Sequence, residues 1–287
     1  MTAVYKRELL SAFTGLIAYV FIFFILLFTG IYTSAINLLG MHPGFESVIQ
    51  SMSFLFVVAI PILTMRSVAD EKRQRTDQLL YALPLKMSSV VLGKFLSMVT
   101  VILIPSVIMT FYPLILSRFG TVSFETAYTA LLGFFLLASS LASIGLFLSS
   151  LTENQAVAAG LCFVVMLLLY LMGQLATMVP GTSTASLAAV LVLVILAALI
   201  LRLLTGDGFI AYTAAAACST VVLLLYSRDR MPFYGLFKKI LNALSLYTRF
   251  TPFTEGLLDL SGIAYFLSVI IFMLFLTTQV LEKRRWI

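Results

Sequence analysis

LIAYVFIFFILLFTGIYTSAI, residues 16–36, contains no Asp, Glu, Lys or Arg. A helix needs about 20 mainly apolar residues to cross the roughly 30 Å hydrocarbon layer of a bilayer. This stretch therefore predicts a membrane-spanning helix. Similar apolar runs follow along the chain at residues 48–65, 95–115, 127–149, 156–178, 187–204, 209–226 and 263–281.

The composition of the 287 residues supports an integral membrane protein. Hydrophobic residues make up 61%, charged residues 10%, and the mean hydropathy is +1.10, whereas soluble domains carry about 25% charged residues. The runs are continuous rather than alternating, which predicts an all-α helical bundle and not a barrel. Runs 187–204 and 209–226 are separated by only four residues. They either span as a tight hairpin or enter partway, so we expect six to eight transmembrane helices.

The positive charges predict the orientation of the chain. With eight spans, the side that holds the N-terminus also holds most of the 18 Lys and Arg residues, including the dense group at 66–94. Cytoplasmic loops carry this excess, so both termini are predicted to be cytoplasmic. The net charge of +6 is then explained by topology and headgroup contact, and we expect no nucleic-acid partner.

The N-terminal residues 1–14 have the pattern of a short interfacial helix rather than a cleavable signal. The alternative is a basic anchor that only sets orientation. In the helical interpretation, Val4, Leu9, Leu10 and Phe13 face lipid, while Lys6, Arg7 and Glu8 face water.

A polar island after the second apolar run, residues 67–87, predicts a cytoplasmic helix. Asp70 and Glu71 precede Arg73 and Arg75 by two to five positions, and pairs three or four apart support a surface helix. Ser67 and Asp70 also match a weak capping box. The alternative is a solubilising loop, but joining two spans takes only a few residues.

Two further patterns concern packing and the opposite side of the membrane. Small residues four apart, such as Gly145 and Ser149, allow helices to approach closely in lipid. Packing within the chain is the simplest explanation, and a subunit interface is the alternative. Residues 227–262 mix charged and apolar positions at helical spacing, with Lys238 and Lys239 among them. We expect this outer segment to be amphipathic or re-entrant in the headgroup layer.

The sequence lacks residues that several classes of membrane protein need, and this limits the possible functions. No Asp, Glu or His lies at the centre of a predicted span, although ion-coupled carriers generally need such groups there. No GxxxxGK[ST] loop is present, and His42 has no neighbouring ligands for a metal. The sequence thus favours a multi-span subunit that is driven by something docked from the cytoplasm.

Several short segments, in order, carry a likeness to a known family. They are 16–20 LIAYV, 64–66 TMR, 69–71 ADE with 76–80 TDQLL, 92–95 LGKF, 145–147 GLF with 149–155 SSLTENQ, 256–260 GLLDL and 281–286 LEKRRW. With these segments the chain resembles ABC type-2 (ABC-2) exporter permeases, in particular the gliding-motility-associated branch. The segment 180–239 departs most from that family.

The resemblance implies the permease subunit of an ATP-driven exporter in a prokaryotic cell membrane, one transmembrane domain over residues 1–287. It implies a coupling helix within the 67–87 region that docks on a separate ABC ATP-binding subunit, and a second permease chain, identical or different. ATP and Mg²⁺ would be bound by the partner, so we expect no enzyme activity, cofactor or metal in this chain. The implied contacts are Asp70, Glu71, Arg73, Thr76, Asp77, Glu153, Asn154 and Gln155.

The family usually has glycine where this chain has Arg75. The backbone around Arg75 is therefore not expected to follow the family with certainty.

The alternative function is a non-transport membrane scaffold or sensor partner; a secondary carrier or an intramembrane enzyme is a more distant one. Nothing in the sequence selects a cargo.

Overall fold

The computed structural model describes residues 2–75, 86–178 and 234–285, with isolated positions between 182 and 231. The described part is helical, and six of its helices are long and apolar enough to cross a membrane. They are Ile17–Leu39, Glu46–Arg73, Met87–Leu116, Phe124–Leu151, Gln155–Met178 and Leu260–Lys283. The predicted helical membrane bundle is confirmed. The apolar runs 187–204 and 209–226 lie almost wholly outside the described residues.

The helices are numbered in chain order. The first part of the chain forms α1 (Thr2–Thr14), α2 (Ile17–Tyr32), α3 (Glu46–Met52), α4 (Phe56–Thr64) and α5 (Ala69–Arg73). A π-helical segment, Thr33–Leu39, extends α2. The remainder forms α6 (Met87–Met109), α7 (Phe111–Leu116), α8 (Phe124–Leu151), α9 (Gln155–Met178), α10 (Leu236–Leu244), α11 (Leu246–Thr254) and α12 (Leu260–Arg285).

The residues group into two compact units. One contains Met1–Tyr170 and Arg249–Ile287, and the other contains Leu171–Thr248. The first unit holds the charged helix α5 and most of the spans. The second unit contains α10. Gly173 and Thr248 belong to this unit as well, and they lie close together.

Helix α8 is the most buried span of the first unit, and α4, α6 and α12 pack on it. Glycines of α8 permit close contact with α4 and with α11. A Cβ at Gly145 would lie 2.5 Å from Thr64 Oγ1, and one at Gly133 would lie 2.6 Å from the Phe253 Cβ. Lipid tails are as apolar as the helices, so close packing of small residues supports association. Gly145 thus serves packing within the chain, as expected.

Helix α1 packs against α6 instead of lying with one whole face on lipid. Val4 is buried beside Val90, and the Tyr5 hydroxyl is 3.0 Å from Thr100 Oγ1. The expectation that Val4 faces lipid and Glu8 faces water was wrong in both respects. Helical periodicity identifies the faces of a helix but not the protein surface that covers one of them.

The predicted amphipathic segment 227–262 contains the amphipathic helix α10, the short α11, and the turn that leads into α12. Gly256 adopts a left-handed φ of 84° in that turn and lies against Thr126. Asp259 then caps α12 by accepting the Ser261 N–H at 2.9 Å. Hydrogen bonds from Ser261 hold the pKa of Asp259 below its ordinary value. The position of this segment on the outer side stays a prediction.

Candidate functional site

The charged helix α5 is attached at its N-terminus to the end of α8. The N–H groups of Val68 and Ala69 donate to Ser149 Oγ at 3.3 and 3.2 Å. The first N–H groups of a helix have no partner within the helix, so this hydroxyl acts as a cap supplied by another span. The predicted capping box of Ser67 and Asp70 was wrong. The N-cap residue is Val68, and its side chain makes no capping hydrogen bond.

A second attachment comes from the middle of α5. Lys72 is only 5% exposed, and its ammonium donates to the backbone carbonyl of Ser150 in the last turn of α8. The carbonyls of a helix's last turn lack helical partners and carry partial negative charge. The lysine therefore satisfies a terminal carbonyl and places its charge where the helix dipole favours it.

A third attachment is a cluster of two acids and two bases, called the four-charge cluster here: Arg7, Glu8, Glu71 and Lys94. The Lys94 ammonium lies 3.1 Å from Glu8 Oε1 and 2.8 Å from Glu71 Oε2. The Arg7 guanidinium lies 2.6 Å from Glu8 Oε1 and 2.5 Å from Glu71 Oε1. The cluster joins α1, α5 and α6 in one neutral group.

Burial makes this cluster energetically demanding. The Lys94 side chain is 2% exposed, and its ammonium also donates to the Ser67 carbonyl at 2.7 Å. A buried charge is tolerated when it is paired and hydrogen-bonded, and Lys94 has three acceptors. The outer end of the cluster is Arg7, whose side chain is 50% exposed.

The cluster shifts the pKa values of Glu8 and Arg7. Burial alone would raise the pKa of Glu8, but the positive charge of Lys94 and the hydrogen bond from Arg7 outweigh burial and hold it below its ordinary value. Burial alone would lower the pKa of Arg7, but the hydrogen bond to Glu8 and the charge of Glu71 raise it. Glu8 and Arg7 are therefore both charged at neutral pH.

The Leu92-Gly93-Lys94-Phe95 segment has a structural explanation in this contact. A Cβ at Gly93 would lie 3.1 Å from Val4 Cγ1 and 3.3 Å from the Tyr5 backbone nitrogen. Glycine lets the backbone of α1 approach α6, and the lysine that follows binds the Glu8 carboxylate. The two adjacent residues together hold α1 in place.

The structure separates the residues that were predicted to contact an ATP-binding subunit. Arg73 and Glu153 are exposed, while Asp70 and Gln155 are half-buried. Glu71 is engaged in the four-charge cluster. Thr76 and Asp77 lie outside the described residues.

The turn after α8 begins at Thr152, two residues beyond Ser150, whose carbonyl binds Lys72, so it lies next to α5. Asn154 in this turn is exposed, and its Oδ1 accepts the Ala156 N–H at 2.9 Å. Asn154 thus caps α9. The outward surface formed by the end of α5 and this turn carries Arg73, Gln74, Arg75, Glu153 and Asn154.

Arg75 adopts the conformation that glycine favours. Its φ is 56°, in the left-handed region, and its N–H donates to the Lys72 carbonyl at 3.2 Å. A left-handed residue just after the cap residue is a common way to end a helix, and glycine adopts it without a Cβ clash. The arginine therefore preserves the backbone geometry, with some strain, at the position where glycine was expected.

Sequence reasoning missed Arg7, Glu8, Lys94 and Ser149 as parts of this site. One signal was available for Lys94, because it directly precedes the apolar run 95–115 and follows Gly93. A lysine at such a position needs a carboxylate once helices pack around it. The sequence does not indicate which carboxylate.

These helices and attachments define a multi-pass membrane protein whose short charged helix is held between α1, α6 and α8. Residues 42–278 match the protein-family model described as ABC-2 family transporter protein. The chain belongs to this family and is the membrane permease of an ABC transporter. A comparison with curated proteins gives no match.

Proposed function

We propose that the chain is the permease subunit of an ATP-driven exporter, and that α5 with the α8–α9 turn is the docking surface for a separate ATP-binding subunit. The family supports this, because ABC-2 permeases generally work with such a subunit. In this proposal ATP and Mg²⁺ bind to the partner, and the permease contributes no catalytic group. A non-transport scaffold would need no such docking surface.

The observation that carries the proposal is the two-sided character of α5. Its inner residues are fixed to three other helices, through Ser149, Ser150 and the four-charge cluster. Its outer end exposes Arg73, and Glu153 in the α8–α9 turn is also exposed. A helix that only solubilised a loop would require neither its own buried Lys72 nor a pairing of its Glu71 with the buried Lys94 of α6.

This arrangement gives a route for a mechanical signal. Displacement of α5 by a partner acts on α8 through Ser149 and on α1 and α6 through Glu71. Taking a two-state population from 1:99 to 99:1 requires about 5.5 kcal/mol of differential binding. A flexible connection would absorb that energy, whereas hydrogen bonds to buried groups transmit it.

The same proposal covers the membrane topology and the assembly of the chain. The N-terminal segment 1–14, the coupling region 67–87 and both termini lie on the cytoplasmic side of a prokaryotic cell membrane, and 227–262 lies outside. The whole of 1–287 forms one permease domain that pairs with a second permease chain, identical or different. The gliding-motility-associated branch is our closer assignment within the family.

The test is to purify tagged full-length chain from its host and measure both the co-purified ATP-binding subunit and ATP hydrolysis in nanodiscs. Arg73→Glu reverses an exposed charge, so we expect partner and ATPase activity to fall together while membrane insertion is unchanged. Glu71→Gln should keep the partner, because Glu71 faces inward, but weaken the stimulation of hydrolysis by cargo or lipid.

A matched control is Glu125→Gln, which changes an exposed charge at the start of α8, the opposite end of that span from Ser149. It should alter neither measurement. Full partner recovery with Arg73→Glu would contradict the docking surface.

A further inference from the structure

A cavity of about 350 Å³ lies in the first unit between α1, the start of α2, the α4–α5 corner and α6. Its volume falls within the range of about 300–1,000 Å³ that is usual for ligand sites. One wall is polar and is formed mainly by α1 and α5. The other wall is apolar and is formed by Ile17, Leu63, Met98 and Val101.

The charges that line this cavity divide into two groups. Arg7, Glu8 and Glu71 already pair within the four-charge cluster. Arg66 and Asp70 also line the cavity. Within the part of the chain that the structure describes, neither of these two side chains makes a hydrogen bond or an ion pair.

Arg66 and Asp70 are of opposite sign and four residues apart, yet they do not pair with each other. Arg66 lies in the turn before α5 and is exposed, whereas Asp70 lies in α5 and is half-buried. One cavity therefore presents a separate cation and a separate anion. A ligand that carries both an anion and a cation can satisfy both groups at once.

The apolar wall adds a further requirement. Leu63 is near the end of α4, and Met98 and Val101 lie on consecutive turns of α6. Both helices belong to membrane spans. The ligand's polar end must therefore meet α5 while an apolar part extends along the spans, which is the arrangement of a membrane lipid.

We propose that this cavity binds the headgroup of a phospholipid with a primary ammonium group, of the phosphatidylethanolamine type. The phosphate accepts hydrogen bonds from Arg66, and the ammonium donates to the Asp70 carboxylate. The acyl chains leave the cavity past Ile17, the half-buried residue of the apolar wall. The site does not depend on docking of an ATP-binding subunit.

The chemistry selects among lipid classes. A lipid with a phosphate and no cation leaves Asp70 unpaired and close to a negative charge. A quaternary ammonium has no N–H to donate, so it forms only a weaker contact with the carboxylate. We expect retention in the order ethanolamine, choline, glycerol headgroup, with about tenfold or more between the first and the last.

The experiment is native mass spectrometry of the purified full-length chain after exchange into micelles with equal amounts of phosphatidylethanolamine, phosphatidylcholine and phosphatidylglycerol. Asp70→Asn should remove the preference for the ethanolamine lipid, and Asp70→Glu should keep it. Arg66→Gln should weaken binding of all three. Circular dichroism of each variant separates loss of binding from loss of folding.

Arg118→Gln and Glu125→Gln are matched controls, because both residues are exposed around the loop before α8, at the far end of the spans. They should leave lipid retention unchanged. Equal retention of the three lipids by the natural chain, or an ethanolamine preference that survives Asp70→Asn, would overturn the proposal. Competition by soluble glycerophosphoethanolamine as effective as by the lipid would also overturn it, since the apolar wall would then contribute nothing.

Discussion

Glu71 and Lys94 form an ion pair in which Oε2 and Nζ are 2.8 Å apart. Glu71 belongs to the short charged helix α5, and Lys94 belongs to the span α6. The pair is almost fully shielded on the lysine side, where 2% of the side chain is exposed. It therefore joins the helix that we propose as a docking element to the body of the permease.

Replacing Lys94 with methionine removes the shared cation of this cluster. Glu8 and Glu71 then face each other with only Arg7 between them. Removing one partner of a buried ion pair costs about 3–5 kcal/mol. We expect about 3 kcal/mol lost from the free energy of unfolding in mixed micelles, because Arg7 still pairs with both acids.

Lys86→Met is the matched control for Lys94→Met, since Lys86 is exposed just before the same helix. It should change the unfolding free energy by less than about 0.5 kcal/mol. Adding Glu71→Gln to Lys94→Met should cost less than Glu71→Gln alone. Equal costs for Lys94→Met and Lys86→Met would show that the cluster contributes no stability.

The lowered pKa of Glu8 predicts a dependence of stability on pH. A carboxyl whose pKa is lower in the folded state stabilises the fold fully above its ordinary value of 4.5. That contribution is lost as the pH falls through the folded value. The difference in unfolding free energy between the natural chain and Glu8→Gln should be constant near neutral pH and shrink below 4.5.

Glu125→Gln provides the comparison for the pH series, because Glu125 is exposed. Its difference from the natural chain should be small at every pH. A Glu8→Gln difference that does not change with acidification would contradict the pairing of Glu8 with Lys94 and Arg7.

Ser149 and Ser150 are adjacent, and their hydroxyls have different partners. The Ser149 hydroxyl accepts the two N–H groups that begin α5, whereas the Ser150 hydroxyl donates to Phe147 within α8. Ser149→Ala leaves buried donors without this acceptor, which costs about 1–3 kcal/mol. Ser150→Ala should cost less, because Lys72 binds the backbone carbonyl and not the hydroxyl.

Amide hydrogen exchange in α5 distinguishes the two serine variants. Faster exchange at Val68 and Ala69 is expected for Ser149→Ala and not for Ser150→Ala. If both variants show the same exchange, the cap from α8 to α5 is not a principal contact.

Arg75→Gly should stabilise the end of α5, since the φ of 56° is unfavourable for a residue with a Cβ. The gain is up to about 1 kcal/mol, reduced by the greater freedom of glycine in the unfolded chain. Arg75→Ala keeps the Cβ and should give no such gain. Protection of the α5 amides measures both, and equal effects would argue against the left-handed conformation.

Much of the fold could be predicted from the sequence, because membrane-spanning helices are recognised by their length and apolar composition. Residues 16–36 are long, apolar and uncharged, and only a helix satisfies their backbone in lipid. A charged helix within 67–87 was also predicted, because that island is longer than a short connection needs. The structure gives a shorter helix: α5 covers only Ala69–Arg73 and ends before the left-handed Arg75, and residues 76–85 lie outside the described part of the chain.

The contacts of the site could not be predicted in the same way. Lys94 and Glu8 are 86 positions apart in the chain, and only packing of α1 on α6 brings them together. Glu71 was expected to face a partner, but helical spacing does not reveal that Lys94 lies on the other side. The cap from Ser149 replaced the local capping box for the same reason.

Cross-linking from position 73 is the sharpest test of whether α5 docks on an ATP-binding subunit. Arg73→Cys places a thiol on the outward surface of α5, and Ser123→Cys places one at the opposite end of the spans, just before α8. With a short bifunctional thiol reagent in the assembled complex, we expect a permease–ATP-binding-subunit adduct from Arg73→Cys and none from Ser123→Cys. An adduct from Ser123→Cys alone would contradict the proposal that α5 receives the force of ATP binding.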